Sequence, residues 1–275
     1  MRHRAGARGA RRGRRAAAPR GLRPARARRA RARERVPALS EQVLGGVFWD
    51  EDAHVTPHVL VPALAAAAER RGARLVRRAV VTGFARDAGG RVSAVETDAG
   101  PIACERVVLA AGWESVALAR RLGVRLPVEP GKGYHVHLDG NPPGLTIPLI
   151  LQESVVGATP MGSELRFAGT MEFVGADRTL APDRARRLIR GAARYLRGLD
   201  PEQPARLWTG FRPCTPDSLP LLGALRAAPN VVVATGHGML GITLAGSTGA
   251  DAASLATGRP ASTAAAAFTP ARFGL

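Results

Sequence analysis

The chain has 275 residues, 45% of them hydrophobic, which is enough for one large domain or two small ones with a substantial core. Its net charge of +18 is confined: residues 1–35 hold fifteen arginines against one glutamate, so +14 sits there and the other 240 residues carry only +4. That confinement argues against a nucleic-acid-binding globular domain; two cysteines, Cys104 and Cys214, are too few for a disulfide framework or a zinc site, and no apolar run approaches the roughly 18 residues that span a bilayer.

Residues 1–38 are Arg-, Ala-, Gly- and Pro-rich without apolar periodicity, so a disordered tail is expected. Three readings of it stand: a basic arm, an Arg-rich transit peptide, or translated GC-rich DNA outside the true reading frame, the last matching 39 arginines against the single Lys132. Gly45 to Trp49 predicts a short strand. Thr56 is then placed as N-cap, with Pro57 at the first helical position of a helix that runs to Arg71 and stops at Gly72. Strands follow at Arg74–Phe84 and Arg91–Thr97, joined by a turn at Asp87 to Gly90. The continuously apolar run Arg106–Ala111 predicts a central strand buried on both faces, followed by a helix from Glu114 to Leu122.

From Pro127 the character changes to short β-prone runs at Gly133–Leu138, Thr146–Leu151, Val155–Thr159 and Leu165–Thr170, broken by Gly and Pro, with one helix at Pro182–Leu196. Ala205–Gly210 leads into a loop through Phe211-Arg212-Pro213. Asn230–Thr235 then forms a strand opening into Gly236-His237-Gly238-Met239-Leu240-Gly241, followed by a small-residue helix from Ile242 to Ala256. The expected fold class is α/β (α+β), an interrupted α/β domain with an inserted antiparallel β-rich domain. The boundaries are a tail at 1–38, one domain in two parts at 39–126 and 210–260, the insertion at 127–209, and a terminal tail at 261–275.

Three constellations carry chemistry. The strand ending at Ala110, Ala111 and Gly112 lets a flat ligand approach backbone at a strand's carboxyl end, although an ordinary core strand reads the same way. Arg212, between an aromatic residue and a proline, offers a guanidinium held in one orientation, suited to bidentate capture of a carboxylate; its alternatives are solvation or pairing with Asp217. The G-x-G-x-x-G turn after a strand and before a helix brings backbone N–H groups to an anionic or electron-rich ligand, but it lies too near the end of the chain to open a dinucleotide-binding βαβ unit. His237 within it either faces a ring or caps the helix. His135 and His137 share one strand face, and His54 and His58 are four apart, but neither pair has a third ligand, so no metal site is expected.

Taken in order, these segments resemble the FAD-dependent D-amino-acid dehydrogenase and oxidase superfamily, glycine and sarcosine oxidases included. The resemblance runs from about Gly46 to Pro260. It rests on Val81-Thr82-Gly83-Phe84, Val108-Leu109-Ala110-Ala111-Gly112, Leu126 to Tyr134, Thr159-Pro160-Met161-Gly162, Arg166 to Phe173, Gly210 to Asp217, and Thr235 to Gly241. The Gly-Lys-Gly-Tyr and Gly-Thr-Met-Glu-Phe segments are most similar to the small subunit of bacterial D-amino-acid dehydrogenase. The resemblance implies FAD as cofactor, an FAD-binding domain interrupted by a substrate domain, and oxidation of the CH–NH bond of D-amino or secondary amino acids by hydride transfer. It implies that Val81 meets the adenine side, that Ala110, Ala111 and Gly112 pass close to the cofactor, and that Gly236, Gly238, Met239, Leu240, Gly241, Ile242 and Thr243 lie along the flavin. Arg212 would hold the substrate carboxylate, with Tyr134 and His237 as further candidate catalytic residues. Trp113 departs from the pattern, since relatives place a small residue after the glycine.

The resemblance also implies an opening βαβ unit, whose place the Arg-rich tail occupies here. The expectation is therefore the C-terminal two-thirds of a flavoenzyme, with impaired flavin affinity. The implied partners are an amino-acid substrate and an acceptor, oxygen or quinone, with no specific nucleic acid. The location is cytoplasmic, or peripheral at the inner membrane. Two alternatives stand: a flavin-free remnant, and a sarcosine- or glycine-oxidase-like oxidase.

Overall fold

The computed structural model describes residues 25–275. In chain order they form β1 (Ala25–Arg28), α1 (Arg29–Arg35), β2 (Gly45–Phe48), α2 (Pro57–Glu69), β3 (Val81–Arg86), β4 (Val92–Thr97), β5 (Ile102–Ala103), β6 (Val107–Leu109) and α3 (Ser115–Arg121). There follow β7 (Glu129–Asp139), β8 (Leu149–Leu151), β9 (Val156–Met161), β10 (Glu164–Glu172), α4 (Pro182–Ala193), β11 (Arg206–Cys214), β12 (Leu221–Leu225), β13 (Ala228–Thr235) and α5 (Ala245–Ala256). The mixed α and β class with antiparallel sheets agrees with the sequence. The chain divides into two units: residues through Thr56, Gly133–Met171 and Arg178–Gly210 form the first, and Pro57–Lys132, Glu172–Asp177 and Phe211–Leu275 the second.

The first unit is built on strands in the order β11-β7-β10-β9-β8. Alternation makes this sheet two-faced: Tyr134, Val136 and Leu138 of β7 and Leu165 and Phe167 of β10 are buried, while the residues between them are not. Helix α4 starts on Pro182 and Asp183, both favourable at a helix N-terminus, and buries Ala185, Leu188, Ile189 and Ala192 in the same apolar cluster as Phe167 and Val156. The burial of these side chains, each worth roughly 1.5–3 kcal/mol for a large aliphatic group, holds the unit together.

Two expectations are corrected here. The tail expected to be disordered over 1–38 lies partly outside the described residues, but from Ala25 onward it is ordered. There β1 pairs antiparallel with β2, and Ala32, Val36, Ala38 and Leu39 enter the apolar cluster beside Leu196. The Arg-Ala alternation of residues 25–36 hid this, because an alanine stripe buries little area and reads as low complexity. Residues 39–56 likewise group with the first unit, not with the α/β unit.

The second unit contains the sheets β12-β13-β6 and β3-β4-β5. Strands β6 and β13 are parallel, with Val231 opposite Val107 and Val233 opposite Leu109. Their apolar side chains join Leu122, Val124, Leu126 and Leu221 in one cluster, and Leu222, Val232 and Ala252 form a second on the α5 side. The strand expected over Arg74–Phe84 begins only at Val81, and β5 and β12 were not expected. The expectation that the 106–111 run is a doubly buried central strand is also corrected: β6 is three residues long, stands at the edge of its sheet, and leaves Val108 41% exposed. Helix α2 sits where the N-cap and proline place it, yet none of its residues is buried, and Val59, Val61 and Leu64 are each more than half exposed. The terminal stretch 261–275 is not a loose tail, since two 3-10 helices, Thr263–Phe268 and Pro270–Phe273, bury Ala265 and Pro270. Among the described residues no helix is long and apolar enough to cross a membrane.

That last segment is tied down electrostatically. Arg272 donates Nε to Asp217 Oδ2 at 2.7 Å and Nη2 to Oδ1 at 3.2 Å, a two-pronged pair, and also donates to the Leu219 carbonyl at 2.9 Å. The Arg272 hydrogen bond holds the Asp217 carboxyl down at about 2, from an ordinary 3.8. A carboxylate whose pKa is depressed on folding stabilises the fold above its unfolded value, and that contribution is lost as pH falls from 3.8 through about 2. Hydrogen exchange of residues 270–275 is therefore expected to accelerate across that window in the wild type, and to be fast already at pH 5 in Asp217→Asn. Identical exchange in the two proteins at pH 5 would contradict it.

Candidate functional site

The second unit gathers three of the sequence-derived constellations. The chain leaves β6 through Ala110 and Ala111 into Gly112, whose φ of +59° belongs to the left-handed region that glycine adopts freely. It leaves the neighbouring parallel strand β13 through Thr235 into Gly236. The two exits are pinned together, because the buried Thr235 hydroxyl donates to the Gly112 carbonyl at 2.7 Å. Trp113, the departure from the pattern, packs edge-on against Phe211 with ring centroids 5.2 Å apart. This fastens the Arg212 segment to the same exit. On its other side that segment bridges the glycine turn, Cys214 pairing antiparallel with His237.

The glycine turn is shaped by steric need at its first position. Gly236 has φ +77°, and a Cβ there would stand 2.7 Å from Thr215 Cγ2 and 3.3 Å from the Leu221 nitrogen. Gly236→Ala combines a left-handed alanine with a clash against largely buried neighbours and is expected to cost about 2 kcal/mol or more in urea denaturation. A cost below about 0.5 kcal/mol would show that the turn is not sterically determined. Gly238, at φ +52°, opens a 3-10 turn, and Gly241 is already right-handed helical. The helix expected from Ile242 starts at Ala245. Gly236 is buried, while Met239, Leu240, Gly241, Ile242 and Thr243 are exposed, Met239 to 75%.

His237 does not cap the helix that follows. Its Nε2 lies 3.0 Å from Thr248 Oγ1 on α5, and burial pushes its pKa below the usual histidine range, favouring the neutral ring. Its side chain lines a cavity of about 430 Å³ bounded by Val108, Ala110, Ala234, Gly241, Ala245, Thr248, Gly249 and Ala252. These side chains are small because α5 carries Ala, Thr or Gly at each inward turn. Arg212 stands on β11, not on the expected proline-stiffened loop. Pro213 is tolerated in a strand because β11 is the edge of its sheet, where a missing N–H leaves no inner ladder bond broken. Burial lowers the Arg212 pKa, and it raises that of Cys214, whose Sγ lies 3.5 Å from the Arg212 carbonyl oxygen.

The remaining candidates lie elsewhere. Val81 is the first residue of β3, paired with Thr97, and does not line the cavity. Tyr134 is 1% exposed inside the apolar cluster of the first unit. His135 and His137 do share a face, and among the described residues no group of three metal-binding side chains forms around them or around His54 and His58. Sequence reasoning missed Thr235, Thr215 and Thr248, the three threonines that fix the turn. A threonine next to a glycine turn is common, and only the fold reveals what its hydroxyl reaches.

The FAD dependent oxidoreductase (DAO) family model matches residues 2–255. D-amino acid dehydrogenase 2 of Mesorhizobium japonicum is 37% identical over 224 residues, covering 80% of this chain and 53% of that protein. The D-amino-acid oxidase of Bradyrhizobium diazoefficiens is 34% identical over 245 residues, covering 88% and 58%. This chain thus spans little more than half the length of these relatives. The crystal structure of glycine oxidase from Geobacillus kaustophilus superposes with a TM-score of 0.83 at 28% identity, over 90% of this chain and 67% of that one.

Proposed function

Since the chain belongs to the FAD dependent oxidoreductase (DAO) family, we propose that it carries the flavin-facing turn and the substrate-carboxylate anchor of an enzyme that oxidises the CH–NH bond of D-amino acids or related secondary amino acids. The observation that supports this best is the convergence, within one unit, of the β6 exit, the Gly236–Gly241 turn and the Arg212 segment, held by Thr235–Gly112, Trp113–Phe211 and Cys214–His237. FAD fits this arrangement: small side chains line the cavity, and residues 239–243 of the turn are exposed just before a helix.

When bound, FAD would supply the redox chemistry, as the acceptor of the hydride. The chain's own residues position. Ala110 and Gly112 give backbone close approach, and the turn from Gly238 to Thr243 presents partial positive charge to the cofactor's electron-rich edge. The neutral His237, bonded to Thr248, fills the wall beside it. Arg212 holds the substrate carboxylate in a two-pronged grip, fixing the Cα–H bond for transfer. Val81 would meet the cofactor from β3. Tyr134 acts through packing in this reading, because its burial leaves no surface for a substrate. Electrons pass to oxygen or a quinone, and the protein is cytoplasmic or peripheral at the inner membrane.

The second reading, a chain that does not hold flavin alone, is favoured by the exposure of Val108, Leu240, Ile242 and the apolar side chains of α2. Purification with added FAD separates the two. A stoichiometric flavin spectrum, bleached anaerobically by D-amino acids, supports the enzyme. Colourless protein that gains no absorbance with FAD supports the remnant. Reoxidation by oxygen or by a soluble quinone then assigns the acceptor.

A further inference from the structure

Helix α2 and the loop that follows it form a surface that the flavin chemistry does not use. From Pro57 to Ala68 the chain carries no Asp, Glu, Lys or Arg. Each residue turns a helix by about 100°, so Val59 and Val61 stand on nearly opposite sides, yet both are more than half exposed, as is Leu64. A helix that is apolar all round is ordinarily buried, in a core or in lipid. No residue of α2 is buried. At 13 residues it is about 20 Å long, short of the roughly 30 Å hydrocarbon core of a bilayer, a length that suits a segment lying in the interface.

The charges beyond the helix say what covers it. Residues 69–78 are all exposed and set Arg70, Arg71, Arg74, Arg77 and Arg78 against Glu69, a net +4. Arg77 reaches Glu69 at 3.8 Å, and the other four arginines make no ion pair among the described residues. Leu75 and Val76 are exposed between them, and Val80 just beyond is 62% exposed. Apolar side chains interleaved with arginines match an anionic phospholipid surface. The aliphatic groups enter the acyl boundary while the guanidinium groups stay at the phosphates. Other occupants answer only half of this surface. A second copy of the chain would cover α2 but bring arginines to arginines, and residues 1–24 contain no acidic residue. Nucleic acid would answer the charge and leave the apolar helix in water.

We propose that α2 and residues 70–80 form an interfacial anchor that seats the protein on an anionic phospholipid surface. This deepens the peripheral location proposed above by naming the surface. It rests on neither flavin nor Arg212, so its test is independent of whether the chain takes up FAD.

The test follows hydrogen exchange of the full chain, with no flavin added, on vesicles of phosphatidylcholine and phosphatidylglycerol in a three-to-one ratio. The readout is local, since the arginines of residues 1–24 also attract anionic lipid. Amides of residues 57–80 are expected to gain protection on these vesicles and not on phosphatidylcholine alone. The triple variant Val59→Ser, Val61→Ser, Leu64→Ser is expected to lose that protection at an unchanged melting temperature, because those side chains are exposed. The triple variant Arg70→Gln, Arg71→Gln, Arg74→Gln should raise the lipid concentration for half-protection at least tenfold, each arginine near such a surface being worth about fivefold. Equal protection on both vesicle types, or none on either, overturns the proposal. So does protection of 57–80 that rises with protein concentration in the absence of lipid, which would assign α2 to a second copy. Protection reproduced by duplex DNA would overturn it in favour of nucleic acid.

Discussion

Arg212→Met is expected to raise the substrate KM, or the Kd of a non-reacting amino-acid analogue, on the order of 100-fold or more, with flavin retained at wild-type stoichiometry. A charge-assisted, two-pronged carboxylate contact in a partly buried setting is worth about 2–5 kcal/mol when one side is truncated, and each 1.4 kcal/mol is about tenfold. Burial already depresses the Arg212 pKa, so its environment is drier than that of a surface arginine. Arg212→Lys restores the charge but not the fork, and should recover only part of the loss. The two variants together separate orientation from charge: equal recovery by Lys would mean that a point charge suffices. An unchanged KM in Arg212→Met, measured anaerobically by flavin bleaching, removes Arg212 from the substrate site. Phe211 is the control. It acts through Trp113, so Phe211→Ala should loosen the Arg212 segment and raise KM less than the loss of the guanidinium itself.

What was legible in the sequence was whatever local chemistry settles. The α2 start at Thr56-Pro57, the Asp87–Gly90 turn, α4 with its apolar stripe, and the β13 strand opening on Gly236 all appear where caps, periods and glycines put them. Asp87 shows why: its Oδ1 accepts from the Gly89 and Arg91 nitrogens at 2.9 Å each, a bond made within five residues of chain. What was illegible depends on distant partners. A run of valines does not say whether its strand lies in the middle of a sheet or at the edge, so β6 was misplaced. Pro213 reads as a loop signal unless one knows that β11 is an edge strand. Ala32, Val36 and Leu39 are buried because Leu196 lies more than 150 residues away in sequence, a contact that Arg-rich composition conceals. The site followed the same division. Its glycines and Arg212 could be nominated locally, but the threonine and aromatic contacts that bring them together are long-range.

Asn230 is the clearest such contact, and its replacement is expected to have the largest effect on stability. The sequence places it at the head of the Asn230–Thr235 strand without showing what its side chain reaches; in the structure it is 2% exposed, inside β13. Its Oδ1 accepts from the Val92 nitrogen at 3.0 Å, and its Nδ2 donates to the Val92 carbonyl at 2.7 Å and the Glu105 carbonyl at 2.8 Å. One amide thus supplies the backbone partners that β4 and the approach to β6 would otherwise lack. Asn230→Leu preserves volume but orphans three backbone groups, each costing about 1–3 kcal/mol where water cannot replace the amide. The expected loss is about 3 kcal/mol or more in urea denaturation, a large share of a typical domain's 5–15 kcal/mol. Asn230→Asp should be at least as harmful, because it removes both donors and buries a charge facing two carbonyls. Amide exchange of Val92 should accelerate in both variants. Because β13 runs directly into Gly236, the same lesion should loosen the glycine turn, so that any flavin affinity falls together with stability. A loss below about 1 kcal/mol in Asn230→Leu would show that water or a shifted backbone takes the amide's place, and that the turn is held by Thr235 and Thr215 without it.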